Sequence, residues 1–290
     1  MKIDFFLVGP PKCGTTTIYH WLKTNKAVFL PSLKEPHYFL FNDNNLEFTG
    51  PGDNERLERM VITDKGTYFA LYGDISGNQI CGDCSTMYFY SDKAIREISL
   101  HNPEAKIIIV LRDPIERAFS HYMHMVRDGY ENGINPIESF NKSADRINKG
   151  YMPFWDYFSA GNYSDWVPKW KNEFKNLLIL DHKLLRNKPN VVMKRIALFL
   201  GVPNDFEVND EQYNTSGIPL SPKLNQILKQ QTNVHKVLSK LIPDSKRKSI
   251  KNKILQFNNR PKKMSAFPGF KSHVAKVHKS DIQFYNSIDS

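Results

Sequence analysis

Short apolar runs alternate with amphipathic segments along most of the chain. The clearest run, residues 106–111, is unbroken and rich in β-branched side chains, as is typical of a strand that is buried on both faces of a parallel sheet. Four further segments predict strands, namely residues 3–8, 27–30, 80–85 and 177–180. Apolar residues at helical spacing predict helices over residues 15–23, 91–100, 115–127 and 191–200.

The alternation of buried strands with helices predicts an α/β fold with a central sheet and helices on both of its faces. The chain has 290 residues, 40% of them hydrophobic, and suits a single domain over residues 1–290. Residues 42–77, which are polar and irregular, and residues 127–160 are predicted as insertions that form a lid. Residues 221–290 form a basic C-terminal segment that is rich in lysine and asparagine.

The charge balance favours anionic partners without choosing among them. A total of 40 Lys and Arg residues against 30 Asp and Glu gives a net charge of +10, which suits nucleotides, sulfated or phosphorylated substrates, nucleic acid or a membrane surface. No apolar run approaches the ~20 residues of a membrane span, and no targeting signal is evident. We therefore expect a cytoplasmic protein without a membrane span.

The three cysteines predict neither a metal site nor a disulfide framework. Cys81 and Cys84 have CxxC spacing, but a zinc site needs four ligands and no second ligand pair accompanies them. Together with Cys13 they suit a reducing compartment. We expect no metal cofactor.

The loop after the first predicted strand is typical of an oxyanion site. It reads Gly-Pro-Pro-Lys-Cys-Gly-Thr-Thr over residues 9–16, so its two glycines keep the spacing of the P-loop of nucleotide triphosphatases, Gly-x4-Gly-Lys-Ser/Thr. The lysine lies inside the loop as Lys12, and Thr15 occupies the usual lysine position. Backbone N–H groups and a helix N-terminus would converge on a phosphate here, with Lys12 reaching a different atom of the nucleotide.

Two segments in this order resemble the donor site of sulfotransferases that use 3′-phosphoadenosine 5′-phosphosulfate (PAPS). Residues 11–16 resemble the 5′-phosphosulfate motif of that family, and residues 107–122 resemble its 3′-phosphate motif. In the second motif Arg112 ends a strand and Ser120 follows about two helical turns later, so a guanidinium and a hydroxyl can bracket one phosphate.

Further matches extend the resemblance to the carbohydrate-type and bacterial branches of the family. Residues 34–39 are similar to their Lys-Glu-x-His-Phe-Phe segment, residues 82–88 to their Gly-Glu-x-Ser-x-x-Tyr strand, and residues 160–201 to their third helix–strand–helix unit. Cys84 departs from the pattern, because some members have a lysine there. The resemblance implies a P-loop-like, three-layer α/β fold with a central parallel sheet flanked by helices.

The resemblance also implies a reaction and a set of site residues. A sulfuryl group would pass from PAPS to a hydroxyl or amine of a small molecule or carbohydrate, with release of 3′-phosphoadenosine 5′-phosphate (PAP) and without a metal. Lys12 would stabilise the leaving group, and Glu35 would be the base, with His37 as its rival. The donor-binding residues would be Pro11, Lys12, Cys13, Gly14, Thr15, Thr16, Arg112, Ser120 and, in a late basic loop, Arg260, Lys262 and Lys263.

Two other functions compete with this interpretation. A phosphoryl-transferring P-loop enzyme would need Lys-Ser/Thr after Gly14 and a strand-end aspartate for magnesium. Asp113 could serve as that aspartate, but the loop lysine is misplaced. A non-catalytic binder of nucleic acid or another anionic polymer would explain the charge but not the two ordered phosphate motifs. We therefore expect no nucleic-acid partner.

Overall fold

Five parallel strands form a sheet at the centre of the molecule. The computed structural model describes residues 1–42, 46–131, 135–209, 218–219, 259–260 and 264–288. In it the strands lie in the order β2-β3-β1-β4-β5, and each neighbouring pair is parallel. The predicted α/β fold is confirmed. The strands are β1 (Phe5–Leu7), β2 (Val28–Phe29), β3 (Ile80–Asp83), β4 (Lys106–Leu111) and β5 (Leu177–Asp181).

Helices cover both faces of this sheet. They are α1 (Thr15–Leu22), α2 (Tyr38–Phe41), α3 (Asp53–Met60), α4 (Lys65–Ala70), α5 (Asp92–His101), α6 (Pro114–Asp128), α7 (Pro136–Asn141), α8 (Ser143–Asn148), α9 (Tyr163–Glu173), α10 (His182–Asn187), α11 (Pro189–Leu200), α12 (Phe270–Val277) and α13 (Lys279–Asn286). Short 3-10 turns occupy Thr86–Tyr90, Pro153–Trp155, Ser159–Gly161 and Met264–Ala266, and Ile218–Pro219 pairs antiparallel with Asn259–Arg260. Among these described helices, none combines the length and apolarity that crossing a membrane requires.

The unbroken apolar run of β4 follows from its position between two hydrophobic cores. Ile107 and Ile109 pack into the core on one face of the sheet, whereas Ile108 and Val110 pack into the core on the other. Successive side chains of a strand point to opposite faces, so a strand between two covered faces needs an apolar residue at every position.

The first insertion differs from its predicted irregular structure. Residues 42–77 include helices α3 and α4, and two tyrosines of this segment are buried in the main core rather than spread over the surface. The hydroxyl of Tyr68 donates to Asp83 Oδ2 at 2.8 Å, and that of Tyr72 donates to the Gly82 carbonyl oxygen at 3.2 Å. The prediction failed here because a tyrosine whose hydroxyl has a partner can be buried as fully as a hydrocarbon.

The connections between the strands create a crevice at one edge of the sheet. From the central strand β1 the chain runs outward to β2 and returns to β3 on the same side, and β4 then adds on the other side of β1. Ligands of open α/β sheets bind outside the carboxyl ends of the strands at such a reversal of strand order. The loop after β1, which contains Lys12, begins at this point.

Gly9 fixes how closely this loop approaches β4. A Cβ atom at Gly9 would lie 2.6 Å from the Val110 carbonyl oxygen and 2.8 Å from the Val110 amide nitrogen. We expect Gly9→Ala to destabilise the fold by about 1–3 kcal/mol, the usual cost of overpacking a tight contact. Chemical denaturation measures the change. Gly73→Ala is the control, because its Cβ would make an ordinary contact of 3.4 Å with the Ala70 carbonyl oxygen; equal losses in the two variants would contradict the prediction.

Candidate active site

A cavity of about 470 Å³ opens at the carboxyl edge of the sheet. Each of the five strands is followed by a segment that contributes to its lining. The contributing residues are Lys12 after β1, Glu35 after β2, Thr86 after β3, Arg112 after β4 and His182 after β5. The sheet therefore brings together side chains from distant parts of the chain.

Most of the predicted site residues meet in this cavity. Those that line it are Pro11, Lys12, Gly14, Thr15, Thr16, Glu35, His37, Arg112 and Ser120. Cys13 differs, because its side chain is fully buried in the core beneath the loop; its contribution to a ligand would come from the backbone N–H. Of Arg260 only the backbone is described, and Lys262 and Lys263 lie outside the described residues. The role of that basic loop stays a prediction.

The loop between β1 and α1 presents backbone donors to the cavity. Lys12 adopts a left-handed backbone with φ 77°, and Gly14, at φ 94°, is the N-cap of α1. The N–H groups in the first turn of a helix have no partner within the helix, and the helix dipole adds positive potential there. The N-terminal end of α1 can therefore bind an anion.

The Lys12 ammonium lies among other cations. Its Nζ is 3.4 Å from His124 Nδ1. Burial, together with the nearby charges of Arg127 and Arg112, lowers the pKa of Lys12 to about 8, although Asp128 opposes this shift. Lys12 is thus charged at neutral pH but loses its proton far more easily than an exposed lysine.

Arg112 connects the loop to helix α6. Its Nε and Nη2 donate to Glu116 Oε2 at 3.2 and 3.1 Å, and its Nη1 donates to the Lys12 carbonyl oxygen at 3.3 Å. The Tyr163 hydroxyl donates to the carbonyl oxygen of Arg112 at 2.8 Å and holds this end of β4. Ser120 lines the same cavity from α6. A phosphate between Arg112 and Ser120 would compete with Glu116 for the guanidinium.

Glu35 is held by three neighbouring side chains. The Lys34 ammonium contacts its Oε1, the Thr86 hydroxyl donates to its Oε2 at 3.1 Å, and His37 Nε2 lies 3.5 Å from the same oxygen. Burial alone would raise the pKa of the Glu35 carboxyl, but Lys34 and His37 outweigh burial and hold this pKa well below its usual value. Glu35 is therefore ionised at neutral pH and can accept a proton.

The backbone around Glu35 has an uncommon conformation. Glu35 and His37 have φ values of 64° and 52°, and with Lys12 they are the non-glycine residues of positive φ in the described part of the chain. Such conformations cost free energy and persist where the surroundings fix them. All three predicted catalytic residues thus coincide with this backbone strain.

A buried carboxylate stabilises that conformation. Asp83 accepts hydrogen bonds from the hydroxyls of Ser85 at 2.6 Å and Tyr88 at 3.1 Å, in addition to Tyr68. Ser85 Oγ in turn accepts from the His37 amide at 3.2 Å, and the Tyr88 hydroxyl accepts from the amide at the second residue of α2 at 3.1 Å. Burial raises the pKa of Asp83 in spite of its three donors. Asp83 therefore positions the Glu35–His37 segment without lining the cavity itself.

The cavity has a second wall where the sequence predicted a lid, but the individual residues that line this wall were not predicted. It is formed by both insertions, with Arg56 and Met60 from α3 and Met152 and Phe154 from the second insertion. No sequence signal marks these residues, because α3 reads as a polar surface helix. His182 was missed as well. Burial and Arg112 lower the pKa of His182 to about 4, so its imidazole is neutral at pH 7.

Comparison with known proteins agrees with the fold. Residues 2–261 match the model of the sulfotransferase domain family, so the chain belongs to that family of group-transferring enzymes. The crystal structure of a sulfotransferase from Alicyclobacillus acidocaldarius is 33% identical to the chain, has a TM-score of 0.67, and covers 73% of this chain and 87% of its own. The predicted family is confirmed.

Two curated relatives are similar over part of their length. The bifunctional heparan sulfate N-deacetylase/N-sulfotransferase 1 of Xenopus tropicalis is 28% identical over 217 residues, which are 69% of this chain and 22% of that protein. Carbohydrate sulfotransferase 15 of Mus musculus is 26% identical over 174 residues, which are 50% of this chain and 29% of that protein. The chain thus spans less than a third of the length of these relatives.

The lowered pKa of Lys12 predicts how nucleotide binding depends on pH. Above its pKa of about 8 the free protein has a neutral Lys12, so binding of anionic PAP must take up a proton, and affinity falls by up to about tenfold per pH unit. We expect the dissociation constant of PAP to be flat from pH 7 to 8 and to rise above pH 8. Titration calorimetry in two buffers of different ionisation enthalpy measures both effects.

Lys12→Arg is the matched control, because a guanidinium stays protonated throughout this range. The variant should show neither the rise above pH 8 nor the proton uptake. A wild-type profile that is flat up to pH 9.5 would contradict the assignment of Lys12 to the nucleotide phosphates.

Proposed function

We propose that this protein transfers a sulfuryl group from PAPS to a hydroxyl or amine of an organic acceptor, a small molecule or carbohydrate, and releases PAP. One observation supports this most strongly. The loop of Lys12, the pair of Arg112 and Ser120, and the ionised Glu35 meet in a single cavity. These are an oxyanion site, a second phosphate site and a base, which together suit this two-substrate reaction.

The donor side supplies positive charge where negative charge develops. The acceptor oxygen or nitrogen forms a bond to sulfur while the bond from sulfur to the 5′-phosphate oxygen breaks, and that electron pair remains on PAP. Lys12 and the N–H groups of residues 13–16 would stabilise this oxygen in the transition state. Arg112 and Ser120 would hold the 3′-phosphate, which does not react.

The acceptor proton would pass to Glu35. A carboxylate of low pKa is a weak base toward an alcohol, but the acceptor O–H becomes strongly acidic as its oxygen bonds to sulfur. Proton transfer late in the reaction is therefore favourable. His37 is the rival base. Its side chain is only 1% exposed and its Nε2 faces Glu35, which supports an orienting role for His37.

We propose that the transfer needs no metal and takes place in the cytoplasm. Kinases recruit magnesium because adjacent phosphates repel each other, whereas here Lys12, Arg112 and the N-terminus of α1 supply positive charge. The described residues contain no group of three or more His, Cys, Asp or Glu side chains that could hold a metal ion. Cys13, Cys81 and Cys84 are free and buried, which suits a reducing compartment.

Thermal stability with bound nucleotide tests the donor assignment. We expect PAP to stabilise the protein in excess EDTA, by about 2.7 kcal/mol at 100 times its dissociation constant. Mg-ATP should stabilise it far less, because ATP has no 3′-phosphate for Arg112. Differential scanning fluorimetry measures the shifts, and Arg112→Ala should reduce that of PAP. A shift that requires magnesium, or equal shifts for Mg-ATP and PAP, would favour phosphoryl transfer instead.

Isosteric replacement of the base tests the acceptor side. Glu35→Gln should lower turnover by about 100-fold or more, in line with loss of a general base, and should leave PAP affinity within about twofold of the wild type. Release of PAP from PAPS with a panel of phenols, amines and oligosaccharides, read by mass spectrometry, measures turnover. If His37→Ala is the crippling change and Glu35→Gln is mild, His37 is the base.

A further inference from the structure

Arg56 is a buried cation whose donors are not all used. The residue lies on α3 and is only 6% exposed. Its guanidinium carbon lies 4.5 Å from the ring centroid of Tyr130 and 4.1 Å from that of Phe154. Its Nη1 has no hydrogen-bond partner among the described residues. Arg56 is also one of the residues that line the cavity.

The carboxylate one turn before Arg56 on its helix is already engaged. Asp53, one turn earlier on α3, accepts from the Met152 amide at 2.7 Å and from Trp155 Nε1 at 2.8 Å. These two bonds join the insertions into one wall and leave Arg56 on its cavity side. Asp53 therefore stabilises the wall rather than pairing with the guanidinium.

The aromatic contacts do not satisfy the guanidinium either. Rings interact with the flat face of an arginine and leave its N–H groups, which lie in the plane of the guanidinium, free to donate. An arginine remains charged at any pH relevant to a protein, and a buried charged donor without a partner is costly. The rings of Tyr130 and Phe154 thus hold Arg56 in a fixed orientation for a partner that the described chain does not supply.

The position of Arg56 indicates that its missing hydrogen-bond partner belongs to the acceptor substrate rather than to the nucleotide. Lys12 and Arg112, the residues that face the nucleotide in the proposed reaction, follow strands β1 and β4. Arg56 belongs instead to the wall built by the insertions, to which Met60, Met152 and Phe154 also contribute. A ligand on this wall meets soft apolar surface and one fixed positive charge.

We propose that Arg56 recognises an anionic group of the acceptor, a carboxylate or a sulfate ester, which the acceptor carries in addition to the hydroxyl or amine that is sulfated. The inference rests on the proposed function and narrows its acceptor class. The planar fork of a guanidinium matches two oxygens of either anion. Lys34 is paired with Glu35, and Lys12 and Arg112 face the nucleotide in the proposed reaction. Among the lysines and arginines of the described lining, Arg56 therefore remains for the anion.

Three glycosides that differ only at carbon 6 test this proposal. They are phenyl β-glucoside, phenyl β-glucuronide with its carboxylate, and phenyl β-glucoside 6-sulfate. Titration calorimetry with the PAP-saturated protein measures the affinity for each. We expect at least one anionic probe to bind about 10- to 100-fold more tightly than the neutral glucoside, as for a charged hydrogen bond, and the stronger of the two identifies the anion. Equal affinities, or no binding by any of the three, would overturn the proposal.

Substitutions of Arg56 separate its charge from its packing. Arg56→Met keeps most of the side-chain length between the two rings and should abolish the preference for the anionic probes. Arg56→Lys keeps the charge without the fork and should retain part of the preference. A preference that survives in Arg56→Met would assign it to another residue and overturn the proposal, and the wild-type comparison decides the case if that variant does not fold.

The affinity for PAP distinguishes this inference from the proposed function. Arg56→Met should bind PAP within about twofold of the wild type, because Arg56 lies on the insertion wall. If PAP does not bind the wild type, the donor assignment fails. If PAP binds and the three glycosides are not distinguished, only the role of Arg56 fails. A large loss of PAP affinity in Arg56→Met would place the guanidinium on the nucleotide and also overturn the inference.

Discussion

The buried carboxylate of Asp83 is the interaction on which the geometry of the site depends. It ends β3 beside the central strand and orients the hydroxyls of Ser85 and Tyr88. These hydroxyls accept hydrogen bonds from the backbone N–H groups at the start of α2. These hydrogen bonds offset part of the strain of the left-handed backbone at His37. A buried carboxyl group in the core thus helps to position the predicted base, Glu35, at the cavity.

The same carboxylate joins the carboxyl edge of the sheet to the first insertion. Tyr68 reaches Asp83 from α4, and the preceding helix α3 reaches the second insertion through Asp53. Each connection is a buried polar group with its partners satisfied, which rigidifies a structure more than an apolar contact of the same size. The insertions are therefore an integral part of the cavity and not appendages to the sheet.

The elements that could be predicted from sequence are those determined by short stretches of chain. The run over residues 106–111 predicted β4 and its burial because periodicity is a local property. The spacing of Lys12 and Gly14, and of Arg112 and Ser120, predicted two phosphate sites in the same way. These residues meet in one cavity because strand ends converge.

Features that depend on long-range contacts could not be read from the sequence. Asp83 and Ser85 were recognised only as part of a family motif. The role of Asp83 rests on the hydroxyls of Tyr68 and Tyr88, and that of Ser85 on the distant amide of His37. Arg56 gave no signal, because nothing in its own segment indicates the two rings that cover it. Burial of a polar side chain is decided by partners that arrive from elsewhere in the chain.

The methionines of the cavity have a consequence for the breadth of acceptors. Met60, Met87 and Met152 all line it, and thioether side chains are flexible and polarisable, so they adapt to different shapes. A surface of this kind discriminates poorly by steric fit. Selectivity among acceptors would then depend on the position of a charged group in the acceptor. The same cavity would accept molecules of different shape that carry this group at the same place.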